Sequence, residues 1–153
     1  MTLSELLKNE QLILNTTCAS KDDLIAKLVD RVFATGREFP LPKDELLKTI
    51  YMREKIGGTM FPSGLSAPHA RLKDYEDFSI AIGLPREAVF HEGLQIRMMT
   101  LMITSQSGAP WYLPVLAALT KISRDNEYFS RLCDAEKAED FISILRERDL
   151  ELA

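Results

Sequence analysis

The chain has 153 residues, 46% of them hydrophobic and 27% charged, with a formal net charge of −4 at pH 7. That length supports a buried core, and the balance excludes a disordered segment. The acidic excess, with no run of Lys or Arg longer than two, excludes the basic stripe of a nucleic-acid binder. The strongest apolar stretches, around residues 98–103 and 113–119, are far too short to cross a bilayer.

In chain order, the first eleven residues carry Glu5, Lys8 and Glu10 among scattered leucines. They lack the cationic start, apolar run and small-residue cleavage site of a signal peptide, so a cytoplasmic protein is expected. Residues 12–14 are a short strand candidate. Ser20 is placed to cap a helix, with Asp23 three residues on and Leu24, Ile25, Leu28, Val29 and Val32 recurring on one face. Gly36 closes it. Pro40 and Pro42 lead into a second helix, with Leu46, Leu47, Ile50 and Tyr51 as its apolar stripe and the Gly57-Gly58 pair as its stop.

The period then changes. Residues 65–67 form a short extended piece. Phe78, Ile80, Ile82 and Leu84 alternate with small residues, as in a strand whose second face is closely covered. Residues 95–104 are nearly continuously apolar from Met98, which fits a central strand buried on both faces. Helical spacing returns after Pro110 with Val115, Leu116, Leu119 and Ile122. Asp125 then caps a short helix bearing Phe129 and Leu132, and Phe141, Ile142 and Leu145 mark a last one. With no linker, repeat or low-complexity segment, residues 1–153 are expected to form one domain, an α/β sandwich around a small mixed sheet flanked by helices.

Residues 53–71 read REKIGGTMFPSGLSAPHAR. If the last part is a strand, Leu65, Ala67 and His69 share one face and His69 projects where the strand runs out. Pro68 fixes its own φ and holds Ala67 extended, which stiffens the backbone under the imidazole. A neutral imidazole suits a nucleophilic relay, because its ordinary pKa of about 6.5 leaves a lone pair available near neutrality. Arg53 can supply a planar fork for two phosphoryl oxygens. On residue chemistry alone the simpler readings stay open: a lone loop histidine is commonly a surface residue, and an arginine near a helix C-terminus is favourable there as a solvated cation. Gly57-Gly58-Thr59 lacks the GxxxxGK[ST] pattern of a phosphate loop and reads as a helix stop. Cys18 and Cys133 are isolated, so two reduced, partly buried thiols are expected. Two histidines and two scattered cysteines make no good metal-ligand set, and no cofactor is indicated.

The stretch Arg53-Glu54-Lys55, followed sixteen residues after Arg53 by His69 in Gly64-Leu65-Ser66-Ala67-Pro68-His69, resembles the active-site segment of the mannitol/fructose-type enzyme IIA family of the bacterial phosphotransferase system. The resemblance extends over residues 12–145. It implies that His69 accepts a phosphoryl group from the phosphocarrier HPr and passes it to a cysteine of a IIB partner. It further implies that Arg53 stabilises that group, with backbone amides of the glycine-rich loop as added donors. One position departs from the family pattern. Tyr112 stands where many members carry a second active-site histidine. Its hydroxyl can bond a phosphoryl oxygen but cannot supply positive charge, and capping the core together with Trp111 is the plainer role. His91, between the two long strands, reads as a surface residue in a turn. Three functions fit: a sugar-uptake phosphocarrier, a regulatory member of the nitrogen type that controls partner proteins, and a binding module that has lost transfer.

Overall fold

The computed structural model describes residues 1–8 and 11–152; Glu10 of the N-terminal segment lies outside them. Helix α1 (Leu3–Leu6) is followed by β1 (Leu12–Thr16), α2 (Lys21–Ala34), α3 (Lys43–Gly57), β2 (Leu65–Ser66), β3 (His69–Leu72), β4 (Ser79–Pro85), β5 (Val89–His91), β6 (Leu94–Ile96), β7 (Met98–Ser105), α4 (Tyr112–Arg124), α5 (Asn126–Cys133) and α6 (Ala138–Glu147). Among the described residues, no helix is long and apolar enough to cross a membrane.

The sheet is mixed. β1 runs parallel to β4, β4 antiparallel to β7, and β7 pairs along its other edge first with β2 and then with β3, both parallel. Leu65 and Ser66 lie opposite Met98 and Met99, and His69 lies opposite Met102. Pro68 has no amide to give the ladder, so the edge strand is cut into two pieces there, although its carbonyl still accepts from the Met102 amide at 3.1 Å.

Alternation sorts the core into two layers. Ala70, Leu72, Ala81, Met99, Leu101 and Ile103 pack with α2 and α3, whereas Leu65, Ala67, Ile80, Ile82, Met98 and Met102 pack with α4, α5 and α6. Apolar residues on both faces of β4 and β7 explain their nearly continuous runs. The expected close cover on β4 is present: a Cβ on Gly83 would come within 3.0 Å of Leu24 and 3.2 Å of Leu28. The caps also agree with the sequence, since Ser20 Oγ accepts from the Asp23 amide and Asp125 Oδ1 from the Tyr128 amide. Cys18 and Cys133 are unpaired and partly buried.

Several boundaries differ. The single run expected over residues 95–104 is divided at Arg97, whose amide turns to the Gly64 carbonyl at 2.8 Å while its side chain reaches Ser130 Oγ at 2.6 Å. The turn expected around His91 is the tip of a β5–β6 hairpin, with His91 ending β5 and Glu92 and Gly93 both at positive φ, as a tight hairpin turn requires. Pro42 is the N-cap of α3 rather than part of its first turn. At the N-terminus, Thr2 and Glu5 form a reciprocal capping box that stabilises a one-turn helix unmarked by any apolar period.

Replacing Gly83 by Val forces α2 away from the sheet and is expected to lower stability by about 1–3 kcal/mol, read from the denaturant midpoint. Gly57→Ala, which meets nothing within 4 Å, leaves stability unchanged or raises it slightly. Equal midpoints for the two variants contradict this packing account.

Candidate functional site

Each part of the site is held by a different element. His69 opens β3 on the face shared with Leu65 and Ala67, as their common parity predicts. The strand does not end there but continues to Leu72, so the imidazole sits where β2 and β3 meet, at the sheet edge. His69 is only 4% exposed.

The loop before it is folded back on the strand. The Phe61 amide donates to Leu65 O at 2.9 Å, the Gly64 amide to Phe61 O at 3.0 Å and the Ala67 amide to Thr59 O at 2.8 Å. These three amides are therefore committed within the loop and are not free donors for an anion. Gly64 has φ +104°, and a Cβ there would meet the Arg97 side chain at 2.8 Å. No other residue suits that turn without displacement.

Arg53 lies just before the last turn of α3, and its side chain reaches His69 at the sheet edge. Its Nε–H donates to His69 Nε2 at 3.1 Å. A guanidinium is always a donor, so this bond makes Nε2 the acceptor and puts the ring proton on Nδ1, which stands 3.5 Å from the Ala67 carbonyl. Tyr112, the first residue of α4, is 5% exposed and brings its hydroxyl to 3.3 Å from Nε2 and 3.4 Å from Nδ1. A hydroxyl on the axis of one lone pair would stand much farther from the other nitrogen, so Tyr112 lies in line with neither. The two rings are 4.7 Å apart between centroids and tilted by 42°. Arg53, His69 and Tyr112 are thus brought together, and packing and hydrogen-bond reach coexist at Tyr112. His91 lies apart, at the end of the β5–β6 hairpin.

The end of α3 that carries Arg53 is anchored by a buried ion pair that its residues do not foretell. Glu54 and Lys21, 5% and 4% exposed, form an ion pair with Nζ 3.0 Å from Oε1, the ammonium lying out of line for a hydrogen bond. The pair ties the last turn of α3 to the first residue of α2. Gly58 lies against it: a Cβ there would come to 2.7 Å from Glu54 Oε1 and 3.0 Å from Lys21 Nζ. Removing one partner of such a pair strands a buried charge, so Lys21 and Glu54 act as a unit. Arg71 was also overlooked, although its parity with His69 on one strand was readable. Its guanidinium carbon lies 5.1 Å from the centroid of the Tyr112 ring.

Electrostatics favour a neutral imidazole. Burial lowers the His69 pKa, the positive fields of Arg53 and then Arg71 lower it further, and the contact with the Ala67 carbonyl opposes them. Below pH 6.5 or so the unfolded chain binds a proton at this ring that the folded chain does not. Stability therefore falls as pH drops from about 6.5 through the folded value and is flat above that window. His69→Gln removes this contribution. The stability difference between wild type and His69→Gln should move against wild type as pH falls below neutrality; a difference independent of pH there contradicts the neutral ring.

A family model described as "Phosphoenolpyruvate-dependent sugar phosphotransferase system, EIIA 2" matches residues 5–148. The 2-O-alpha-mannosyl-D-glycerate-specific EIIABC component of Escherichia coli K12 is 25% identical over 153 residues, covering 97% of this chain and 23% of that protein. The fructose-specific EIIABC component of Bacillus subtilis 168 is 26% identical over 152 residues, covering 97% and 24%. The chain therefore spans about a quarter of the length of these curated relatives. The crystal structure of IIA mannitol from E. coli superposes with a TM-score of 0.76 at 19% identity, covering 91% of this chain and 98% of that one. The nitrogen regulatory protein IIA-Ntr of Neisseria meningitidis gives 0.74 at 19% identity, covering 94% and 98%. Enzyme IIA mannitol in its complex with phosphorylated enzyme IIB mannitol, from E. coli, gives 0.74 at 18%, covering 93% and 98%. At these identities the superpositions establish the fold, and the match over residues 5–148 establishes the family. The chain belongs to the EIIA 2 family of the phosphoenolpyruvate-dependent sugar phosphotransferase system.

Proposed function

We propose that this chain is a cytoplasmic phosphocarrier in which His69 Nε2 takes a phosphoryl group from an HPr-like protein and passes it to a cysteine of a IIB partner. Residues 1–153 act as one IIA unit in this reading. The observation that carries it is the 3.1 Å contact from Arg53 Nε to His69 Nε2, which leaves a lone pair on the same nitrogen that an arginine already faces.

That geometry supports the following transfer. The Nε2 lone pair forms the new N–P bond as the bond between phosphorus and the donor's nitrogen breaks, and the bonding electrons return to the donor nitrogen. The proton on His69 Nδ1 stays in place toward Ala67 O, so no base is needed. In the onward step the thiolate sulfur forms an S–P bond and the electrons of the N–P bond return to Nε2. Arg53 then shifts from the lone pair to the phosphoryl oxygens, where a fixed cation offsets the charge spread over them. Tyr112 adds one neutral hydrogen bond.

Exposed Met52 and Ile56 on α3 and Leu113 on α4, neighbours in sequence of Arg53 and Tyr112, support a protein surface as the docking partner around the site. A IIB partner is in keeping with the complex formed by the mannitol relative. A regulatory role has the support of an equal superposition on the Neisseria nitrogen regulatory protein.

Incubation with phosphoenolpyruvate, enzyme I and HPr should yield one acid-labile phosphohistidine, abolished by His69→Ala and unchanged by His91→Ala. Label that survives His69→Ala overturns the assignment. Arg53→Ala should reduce transfer by roughly 100-fold or more while lowering stability by only about 0.3–1 kcal/mol. Tyr112→Phe should lower it modestly. An Arg53→Ala protein that unfolds far more readily yet transfers normally makes Arg53 structural.

A further inference from the structure

A phosphoryl group bound to nitrogen carries close to two negative charges, and Arg53 offsets one. Tyr112, whose hydroxyl also reaches His69, is neutral and cannot offset the other. The residues around Tyr112 contain a cation that the reading so far leaves without a task.

Arg71 is two residues beyond His69 on β3 and opposite Thr104 of β7, so both side chains leave the strand on the same face. Its guanidinium is held over the Tyr112 ring, 5.1 Å from the centroid, and the same ring packs against His69. The other flank is Gly108, where a Cβ would come to 3.8 Å from the Arg71 guanidinium carbon and 3.5 Å from Tyr112 Cβ. Gly108, at φ +79°, also accepts the Tyr112 amide at 3.1 Å, so one glycine lets the loop close on both side chains. Among the described residues Arg71, like the exposed Arg124 and Arg146, has no hydrogen-bond acceptor and no carboxylate partner, but of these three only Arg71 lies over the ring that packs on His69. A guanidinium stacked on a ring, with its fork of donors unengaged, is preorganised for an oxyanion.

We propose that Arg71 is the second cation of the phosphoryl site, stacked on Tyr112 so that its N–H groups take oxygens of a phosphoryl group on His69 Nε2. Tyr112 is then the platform that positions this cation, which explains how an aromatic ring replaces a charged one at that place. The inference rests on His69 being the acceptor. A guanidinium, unlike an imidazole, does not titrate in the physiological range, so such a hold on the phosphoryl group does not weaken where a histidine would lose its charge.

The test is the phosphoryl equilibrium between HPr and the full chain, measured as the fraction of acid-labile phosphate on His69 at a fixed ratio of phosphorylated to free HPr. Arg71→Gln should lower that equilibrium constant roughly 10- to 100-fold, the value of one charge-assisted bond. Arg71→Lys, which keeps the charge and loses the fork, should fall between Gln and wild type. In 31P spectra of the phosphorylated proteins, Arg71→Gln should raise the pH at which the phosphoryl oxygens titrate, a change that lost packing alone does not produce. Wild-type chain that takes no phosphoryl group sinks the His69 reading and this inference with it. Labelled wild type with an unaltered equilibrium in Arg71→Gln overturns this inference alone. A slower approach to the same equilibrium also overturns it, making Arg71 a docking charge.

Discussion

The bond from Arg53 Nε to His69 Nε2, 3.1 Å long, sets a demand that the rest of the structure meets. It joins a helix on one side of the sheet to an edge-strand residue facing the other side, so neither end can drift. The helix end is held by the buried Lys21–Glu54 pair, with Gly58 small enough to lie against it. The strand end is held by β7, which takes hydrogen bonds on both sides of Pro68. A displacement of about 1 Å at either end moves a donor out of range of Nε2, the nitrogen proposed to react, and such errors are costly in rate.

The same bond decides the protonation state. Two unit charges about 4 Å apart repel by roughly 4 kcal/mol even at an effective dielectric near 20, so an imidazolium beside Arg53 is the losing form. Burial acts in the same direction. In the proposed transfer both help, because the ring stays unprotonated at Nε2 and Arg53 need only turn from that nitrogen to the oxygens bonded beside it. A cation held this close needs little reorganisation when the phosphoryl charge arrives. Tyr112 fits such a site because a ring packs the core, offers a hydroxyl and gives a guanidinium a face to rest on.

Much of this was legible in the sequence for identifiable reasons. The Ala67-Pro68-His69 parity and the Arg53 spacing are local features of one segment, and the alternation of Ile80, Ile82 and Leu84 with Ala81 and Gly83 states directly which face of β4 is tightly covered. Ser20 and Asp125 announce helix starts through side-chain chemistry alone. What escaped is non-local or short. Lys21 and Glu54 lie 33 positions apart, and nothing about either residue foretells that folding buries them together. The β5–β6 hairpin has strands of three residues, too brief for a period to emerge. The break at Arg97 depends on the Gly64 carbonyl across the fold. Arg71 is the exception, since its shared face with His69 followed from the same parity that located the histidine.

The account stands on which ring nitrogen of His69 holds the lone pair. Ring 15N NMR of the unphosphorylated chain at pH 7 should show Nε2 with a pyridine-type shift and Nδ1 with a pyrrole-type shift, giving way to an imidazolium only below the ordinary histidine range. After phosphorylation, the 31P coupling should appear on Nε2. A charged ring at pH 7, or a pyridine-type Nδ1 with the proton on Nε2, contradicts the Arg53 contact and the phosphoryl chemistry built on it.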